Sequence, residues 1–165
     1  MDYWFDPNEL HHAYLIWGDA RGNIVVIEFY DCPDMCVLQP EMRRARRMRV
    51  TLCDLAKGTT CGVRVHKLNG IHADFVHDVK YCPSLNSFLS CSRDMDTALF
   101  MGDIELRRKA YFRVRKGVFT FDYSKSNNII VTGGKDALVR VWNPYMPLKP
   151  VMLLQGTYVT FYYLM

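Results

Sequence analysis

Apolar and polar residues alternate in short runs over the second half of the chain, and turn-favouring residues separate the runs. An alternation with a period of two predicts strands, because successive side chains of a strand point to opposite faces of a sheet. The pattern predicts two groups of four strands. The first group lies near 75–82, 87–92, 97–102 and 108–114, and the second lies near 117–123, 128–133, 138–142 and 150–155.

The two groups are copies of one pattern, about 42 residues apart, in segments 72–103 and 116–144. The corresponding pairs are Val79 and Phe121, Tyr81 and Tyr123, Asp94 and Asp136, and Met101 and Trp142. A repeat of roughly 40 residues with four strands is typical of one blade of a β-propeller. The sequence therefore predicts an all-β fold: a partial, open β-propeller of about three antiparallel four-stranded blades.

A third, degenerate copy precedes these two. In segment 13–30 two apolar runs flank Asp19, Gly22 and Asn23, which favour a tight turn between two strands. Segment 61–68 alternates again and predicts an outer, solvent-facing strand. The alternation is absent in between, where a short helix after Pro40 is one interpretation. We divide the chain into a partial first blade with an N-terminal extension (1–30), a basic insertion or rim loop (31–60), repeat blades (61–156) and a divergent apolar tail (157–165).

Six polar or aromatic residues recur at spaced positions of the two copies. In a blade, a histidine before the first strand, a hydroxyl on the second, an aspartate in the next turn and a tryptophan on the third can form one buried hydrogen-bonded network. The first copy offers His72, Ser90 (or Ser92) and Asp94, and the second offers Thr132, Asp136 and Trp142. Neither set is complete. The alternative interpretation is that each is an ordinary turn or core residue.

With these residues in place, the two copies resemble WD repeats. Segment 114–156 is also similar to a branch of large WD-repeat proteins of ciliated cells, some of which carry EF-hand motifs. The resemblance implies an interaction scaffold that binds other proteins, located in the cytoplasm and in a cilium or axoneme. It implies no cofactor and no catalytic residues.

The chain departs from that family's pattern after Gly156. A further repeat would begin there, whereas the sequence continues as TYVTFYYLM, which is apolar and uncharged. We expect an alternative C-terminus and a truncated isoform, with a further strand as the alternative. Three blades also cannot close a ring, which typically needs four to eight. We therefore expect exposed apolar faces and self-association.

An arginine-rich run lies within the insertion. Its candidate docking residues are Arg43, Arg44, Arg46, Arg47 and Arg49. A solvated surface is the simplest interpretation, a docking or localisation element is the second, and a nucleic-acid-associated module is an alternative function from another class. A third possibility is a non-functional truncated isoform. The net charge of +4 does not itself favour nucleic acid.

Composition limits the remaining chemistry. The N-terminus lacks the apolar run of a signal peptide, and no stretch approaches the ~20 apolar residues of a membrane span. We expect a reducing compartment and six free thiols in small buried niches. Cys32 and Cys36, with His11, His12 or Cys53, make only a loose zinc pattern, so we expect no metal. No phosphate-binding loop, nucleophile motif or paired carboxylate predicts an enzyme.

Overall fold

A computed structural model describes residues 1–5, 12–30, 51–57 and 62–155. Within these ranges the chain forms three antiparallel sheets of four strands each, and strands that follow one another in sequence are neighbours in space. The predicted all-β fold of open, four-stranded blades is confirmed. The apolar tail 157–165 lies outside the described residues.

The first sheet contains β1 (Asp2–Phe5), β2 (Ala13–Gly18), β3 (Ile24–Phe29) and β4 (Val63–Leu68), in that spatial order. The predicted turn is present between β2 and β3. There the Asp19 carboxylate accepts hydrogen bonds from the backbone N–H groups of Arg21 and Asn23 and from the Asn23 amide, and Gly22 has a φ of 77°. Strand β4 pairs with β3, so this sheet includes a strand from beyond residue 60.

The second sheet contains β5 (Val76–Cys82), β6 (Ser87–Ser92), β7 (Leu99–Gly102) and β8 (Lys109–Phe112). The third contains β9 (Thr120–Ser124), β10 (Ile129–Gly133), β11 (Leu138–Trp142) and β12 (Met152–Gln155). A short helix α1 (Leu52–Ala56), capped by the Thr51 hydroxyl, lies against β4, and a single 3₁₀ turn (Pro83–Leu85) connects β5 to β6.

The first hairpins of the second and third sheets repeat the same detail. The hydroxyl of Tyr81 donates to the side-chain oxygen of Asn86, and that of Tyr123 donates to Asn128, at 3.1 and 3.0 Å. Both asparagines adopt left-handed backbone conformations, with φ of 45° and 51°, which asparagine tolerates better than most residues. The turn chemistry therefore repeats with the same 42-residue offset as the sequence.

The second sheet packs between the other two. One core cluster joins the first sheet to Val79, Phe88 and Phe100 of the second. The other joins Leu89 and Leu99 of the second sheet to residues of the third. Because both faces of β6 are buried, it is apolar or carries small hydroxyls and thiols throughout, as expected for a strand between two layers.

The first strands of the three sheets are linked by polar side chains. The carboxylate of Asp2 on β1 accepts a hydrogen bond from the Tyr81 backbone at 2.8 Å, and Lys80 on β5 pairs with Asp122 on β9 at 2.6 Å. At the other side of the third sheet, β12 pairs only with β11 among the described strands, and all four of its residues are exposed. Among the described strands, β12 is the one in which every residue is exposed.

Candidate functional site

Loops from all three sheets meet along one edge of the stack. The backbone N–H groups of His72 and Val76, before and at the start of β5, donate to the carbonyls of Gly22 and Asp19 in the β2–β3 turn. In the same way Val118, before β9, donates to Ser92 at the end of β6. Each segment that enters a new sheet is thus fixed to the hairpin of the previous sheet. The six residues singled out in the two copies are called the signature residues below: His72, Ser90, Asp94, Thr132, Asp136 and Trp142.

His72 and Ser90 form a buried pair. The His72 side chain is 2% exposed, its Nδ1 bonds to the carbonyl oxygen of Thr97, and its Nε2 lies 2.7 Å from the Ser90 hydroxyl. A carbonyl only accepts, so Nδ1 carries the proton and Nε2 of the neutral ring accepts from Ser90. Burial lowers the pKa of His72, which keeps the ring neutral near pH 7.

Asp94 extends this network through the β6–β7 turn. Its carboxylate accepts hydrogen bonds from the Thr97 N–H at 2.8 Å and the Thr97 hydroxyl at 2.9 Å, and the same hydroxyl accepts from the Ala73 N–H. Burial alone would raise the pKa of Asp94, but these hydrogen bonds outweigh it and lower that pKa. Thr97 therefore joins Asp94 to His72. Thr97 was not among the predicted residues, although a hydroxyl three residues after a turn aspartate is a recognisable signal.

In the third sheet the signature residues form two separate contacts. Trp142 is 1% exposed, and its Nε1 donates to the hydroxyl of buried Thr132 at 2.9 Å. Asp136 accepts from the Leu138 N–H and pairs with both terminal nitrogens of Arg140, and the Arg140 guanidinium lowers the pKa of Asp136. Arg140 was also missed. The sequence did contain an indication of this pair, since an arginine stands four residues after Asp136.

The predicted correspondence of Met101 with Trp142 is wrong. Phe88 pairs with Gly102 in the second sheet, as Ile130 pairs with Trp142 in the third, so Gly102 is the structural equivalent of Trp142. Met101 lies on the opposite face of the second sheet from Gly102, where it packs against the core cluster between the second and third sheets. In the second sheet the ring of Phe100 fills the space beside this position, because a Cβ placed on Gly102 would lie 2.5 Å from that ring. Phe100 is fully buried and meets the His72 ring edge-on, at 6.4 Å between centroids.

The remaining predicted residues are the arginines of the insertion, the cysteines and one histidine, and only some of them lie in the described ranges. Arg43, Arg44, Arg46, Arg47 and Arg49 lie outside the described residues, as do Cys32, Cys36, Cys61 and His11. Cys82 and Cys91 are free and buried, and burial raises the pKa of Cys82 to about 12. Cys53 is free but exposed, so its predicted buried niche is wrong: it lies on α1, which buries none of its residues.

The described ranges contain neither a metal-binding cluster nor a membrane-spanning helix. His12, considered above as a zinc ligand, instead lies 3.4 Å from the Glu28 carboxylate, which also meets His66 and Arg64. No group of three or more potential ligands there has the geometry to hold a metal ion. No helix of the described ranges is long and apolar enough to cross a membrane.

Comparisons with known proteins agree with this geometry. The WD40 family, described as "WD domain, G-beta repeat", matches residues 110–143, which run from β8 of the second sheet through β11 of the third. The matched repeat therefore spans two neighbouring sheets, and β12 follows it.

Similar proteins come from fruit flies. The chain is 28% identical over 162 residues to the "WD repeat-containing protein on Y chromosome" of Drosophila pseudoobscura pseudoobscura, a match that covers 94% of this chain and 15% of that protein. The protein of the same name from Drosophila willistoni is also 28% identical, and that from Drosophila virilis is 24% identical, each over 94% of this chain. The chain spans about 15% of the length of these relatives. It is thus similar to WD-repeat proteins, a class that generally supports protein interaction and is typically non-enzymatic.

Proposed function

We propose that this chain is a non-enzymatic protein–protein interaction scaffold built from WD repeats. The observation that carries the proposal is the exposed apolar side of the third sheet. Met152, Leu153 and Leu154 on β12 are 53%, 57% and 48% exposed, and nearby Val151 is 66% exposed. Contiguous exposed apolar surface on a folded sheet is typical of an interaction site.

The edge of β12 adds a second kind of contact. One side of this strand pairs with β11, and among the described strands nothing pairs with its other side. Free backbone N–H and C=O groups at a sheet edge can pair with a strand of another molecule, and the apolar side chains then become buried. On this basis the partners are other proteins, including a second copy of this chain.

The cellular setting is proposed from the resemblance of segment 114–156 to WD-repeat proteins of ciliated cells. We assign the scaffold to the cytoplasm and, within it, to a ciliary or axonemal assembly. Within the same proposal, residues 31–60 are the insertion at the rim, and Arg43, Arg44, Arg46, Arg47 and Arg49 are its docking residues.

The test compares protein association with nucleic-acid binding. Sedimentation equilibrium measures self-association at 50 and 300 mM NaCl, and anisotropy measures binding to a labelled 20-base-pair RNA duplex in the same buffers. Apolar and backbone contacts predict self-association that changes less than about threefold with salt, because few charges are screened. Tight RNA binding that falls steeply with salt, and that is lost when the five arginines become serine, would instead establish the nucleic-acid alternative.

A further inference from the structure

Aromatic and cationic side chains from both C-terminal sheets form a cluster at the loop edge. The cation–aromatic cluster consists of Phe75, His77, Arg93, Phe119 and Lys135. The ring centroids of Phe75 and His77 are 4.0 Å apart, and those of His77 and Phe119 are 4.8 Å apart. The planes of neighbouring rings are tilted by 48° and 50°, so the three rings form a continuous row of tilted contacts between the start of β5 and the segment before β9. All three remain partly exposed.

Arg93 is oriented by contacts with all three rings. Its guanidinium carbon lies 5.6 Å from the Phe75 centroid and 5.1 Å from the Phe119 centroid, and its Nε donates to Nε2 of His77 at 3.0 Å. Within the described residues its two terminal nitrogens make no hydrogen bond, and the residue is exposed. An oriented guanidinium with both terminal N–H groups available matches the two oxygens of a carboxylate.

The charges around the cluster are mainly positive. Lys135 lies 5.7 Å from the Phe119 centroid, and the exposed residues Arg115 and Lys116 precede Phe119 by a few positions. None of these four cations, Arg93 included, has a carboxylate within ion-pair distance among the residues that the structure describes. Positive charge without an internal partner, next to exposed aromatic rings, favours an anionic ligand with apolar groups.

His77 stays neutral in this arrangement. Burial lowers its pKa, the Arg93 charge lowers it further, and the nearby Asp74 carboxylate opposes them. Because Nε2 accepts from Arg93, the neutral ring carries its proton on Nδ1. The positive charge beside the three rings is therefore that of Arg93 and Lys135. Two cations are enough to bind a ligand that carries a few carboxylates. A nucleic acid would need a longer row of cations, whereas here the Asp74 carboxylate lies near His77.

We propose that the cation–aromatic cluster binds an acidic peptide segment of a partner protein. A glutamate or aspartate of that segment accepts paired hydrogen bonds from the terminal nitrogens of Arg93. A neighbouring apolar side chain of the segment packs on the exposed parts of Phe75 and Phe119. This inference rests on the proposed scaffold function and adds a second contact surface to it, distant in sequence from β12.

Fluorescence anisotropy with a labelled peptide of alternating glutamate and phenylalanine tests the proposal, and a lysine–phenylalanine peptide is the charge-reversed probe. We expect Arg93→Gln to weaken binding of the acidic peptide about tenfold, since one charge-assisted pair is lost. Arg93→Lys should weaken it about threefold or more, because lysine keeps the charge without the planar fork. The matched control is Arg107→Gln, an exposed arginine that already pairs with Glu105, and it should bind as the original chain does.

A second variant covers the case in which Arg93→Gln disturbs folding. Lys135→Gln changes an exposed side chain with no hydrogen bond to the described residues, and it should weaken binding several-fold with an unchanged melting temperature. Equal weakening by Arg93→Gln and Arg107→Gln would overturn the proposal, as would no binding of the acidic peptide. Tighter binding of a phosphopeptide or an RNA duplex through Arg93 would also overturn it. Self-association through β12 is measured by sedimentation, whereas peptide binding at this cluster is measured by anisotropy. A negative result for one proposal is therefore distinguishable from a negative result for the other.

Discussion

Replacing Trp142 with alanine removes the largest fully buried side chain of the described core. The indole contacts the cluster that joins the second and third sheets, and its ring meets Phe112 edge-on with centroids 5.4 Å apart. Its Nε1 donates to Thr132. A large-to-small change at such a site costs about 3–5 kcal/mol, of which the edge-on ring contact contributes about 1 and the hydrogen bond about 1.

The hydrogen bond can be separated from the volume with a double-mutant cycle. Thr132→Val keeps the side-chain shape but leaves the buried Nε1–H group without an acceptor, so it should cost about 1–3 kcal/mol. In a Trp142→Phe background the unsatisfied donor no longer exists, and the same Thr132→Val change should cost close to nothing. The difference between the two costs measures the coupling of the pair.

Urea denaturation followed by far-ultraviolet circular dichroism gives these free energies of unfolding. Two results would refute the reasoning. One is an unchanged unfolding midpoint for Trp142→Ala. The other is an equal cost of Thr132→Val with tryptophan and with phenylalanine at position 142, which would mean that the hydroxyl does not act through the indole.

Two further predictions concern the second sheet. Gly102→Ala should destabilise the chain by about 1–3 kcal/mol, because its Cβ would lie 2.5 Å from the Phe100 ring. Gly133→Ala is the matched control, since the nearest atom lies at 3.5 Å, and equal denaturation midpoints for the two variants would contradict the prediction. Stability should also fall as the pH decreases below about 6.5, because the lowered pKa of His72 lets the unfolded chain take up that proton first. Urea midpoints at pH 7.5 and 5.5 should differ less for His72→Gln than for the original chain, and an equal difference would exclude His72 as a cause.

The sequence predicted the strands of the second and third sheets because their signals are local. Alternation marks the strands, and the turns repeat the tyrosine–asparagine pair at the same offset. Strand β1 was missed for the opposite reason. It has four residues, and its pairing with β2 and the contacts of Trp4 with Tyr14 and Tyr81 are formed only in the folded chain.

The error at Met101 has a geometric cause. Ser90 pairs with Phe100, ten positions later, whereas Thr132 pairs with Arg140, eight positions later, so the β6–β7 connection is two residues longer than its counterpart. The offset between equivalent residues therefore falls from 42 at Phe88 and Ile130 to 40 at Gly102 and Trp142, and pairing Met101 with Trp142 leaves the two strands one position out of register. The cation–aromatic cluster could not be predicted either, since Arg93 and Phe119 become neighbours only when the two sheets pack.

Sedimentation velocity tests most directly whether the outer strand of the third sheet is an interaction surface. The chain should associate with increasing concentration. A Leu153→Lys/Leu154→Lys variant should sediment as a monomer, because charged residues on a sheet edge oppose pairing with another strand. Leu148→Lys is the control: this leucine is 93% exposed but lies outside β12, and its variant should associate as the original chain does. A monomeric original chain, or a double-lysine variant that associates equally well, would contradict the account.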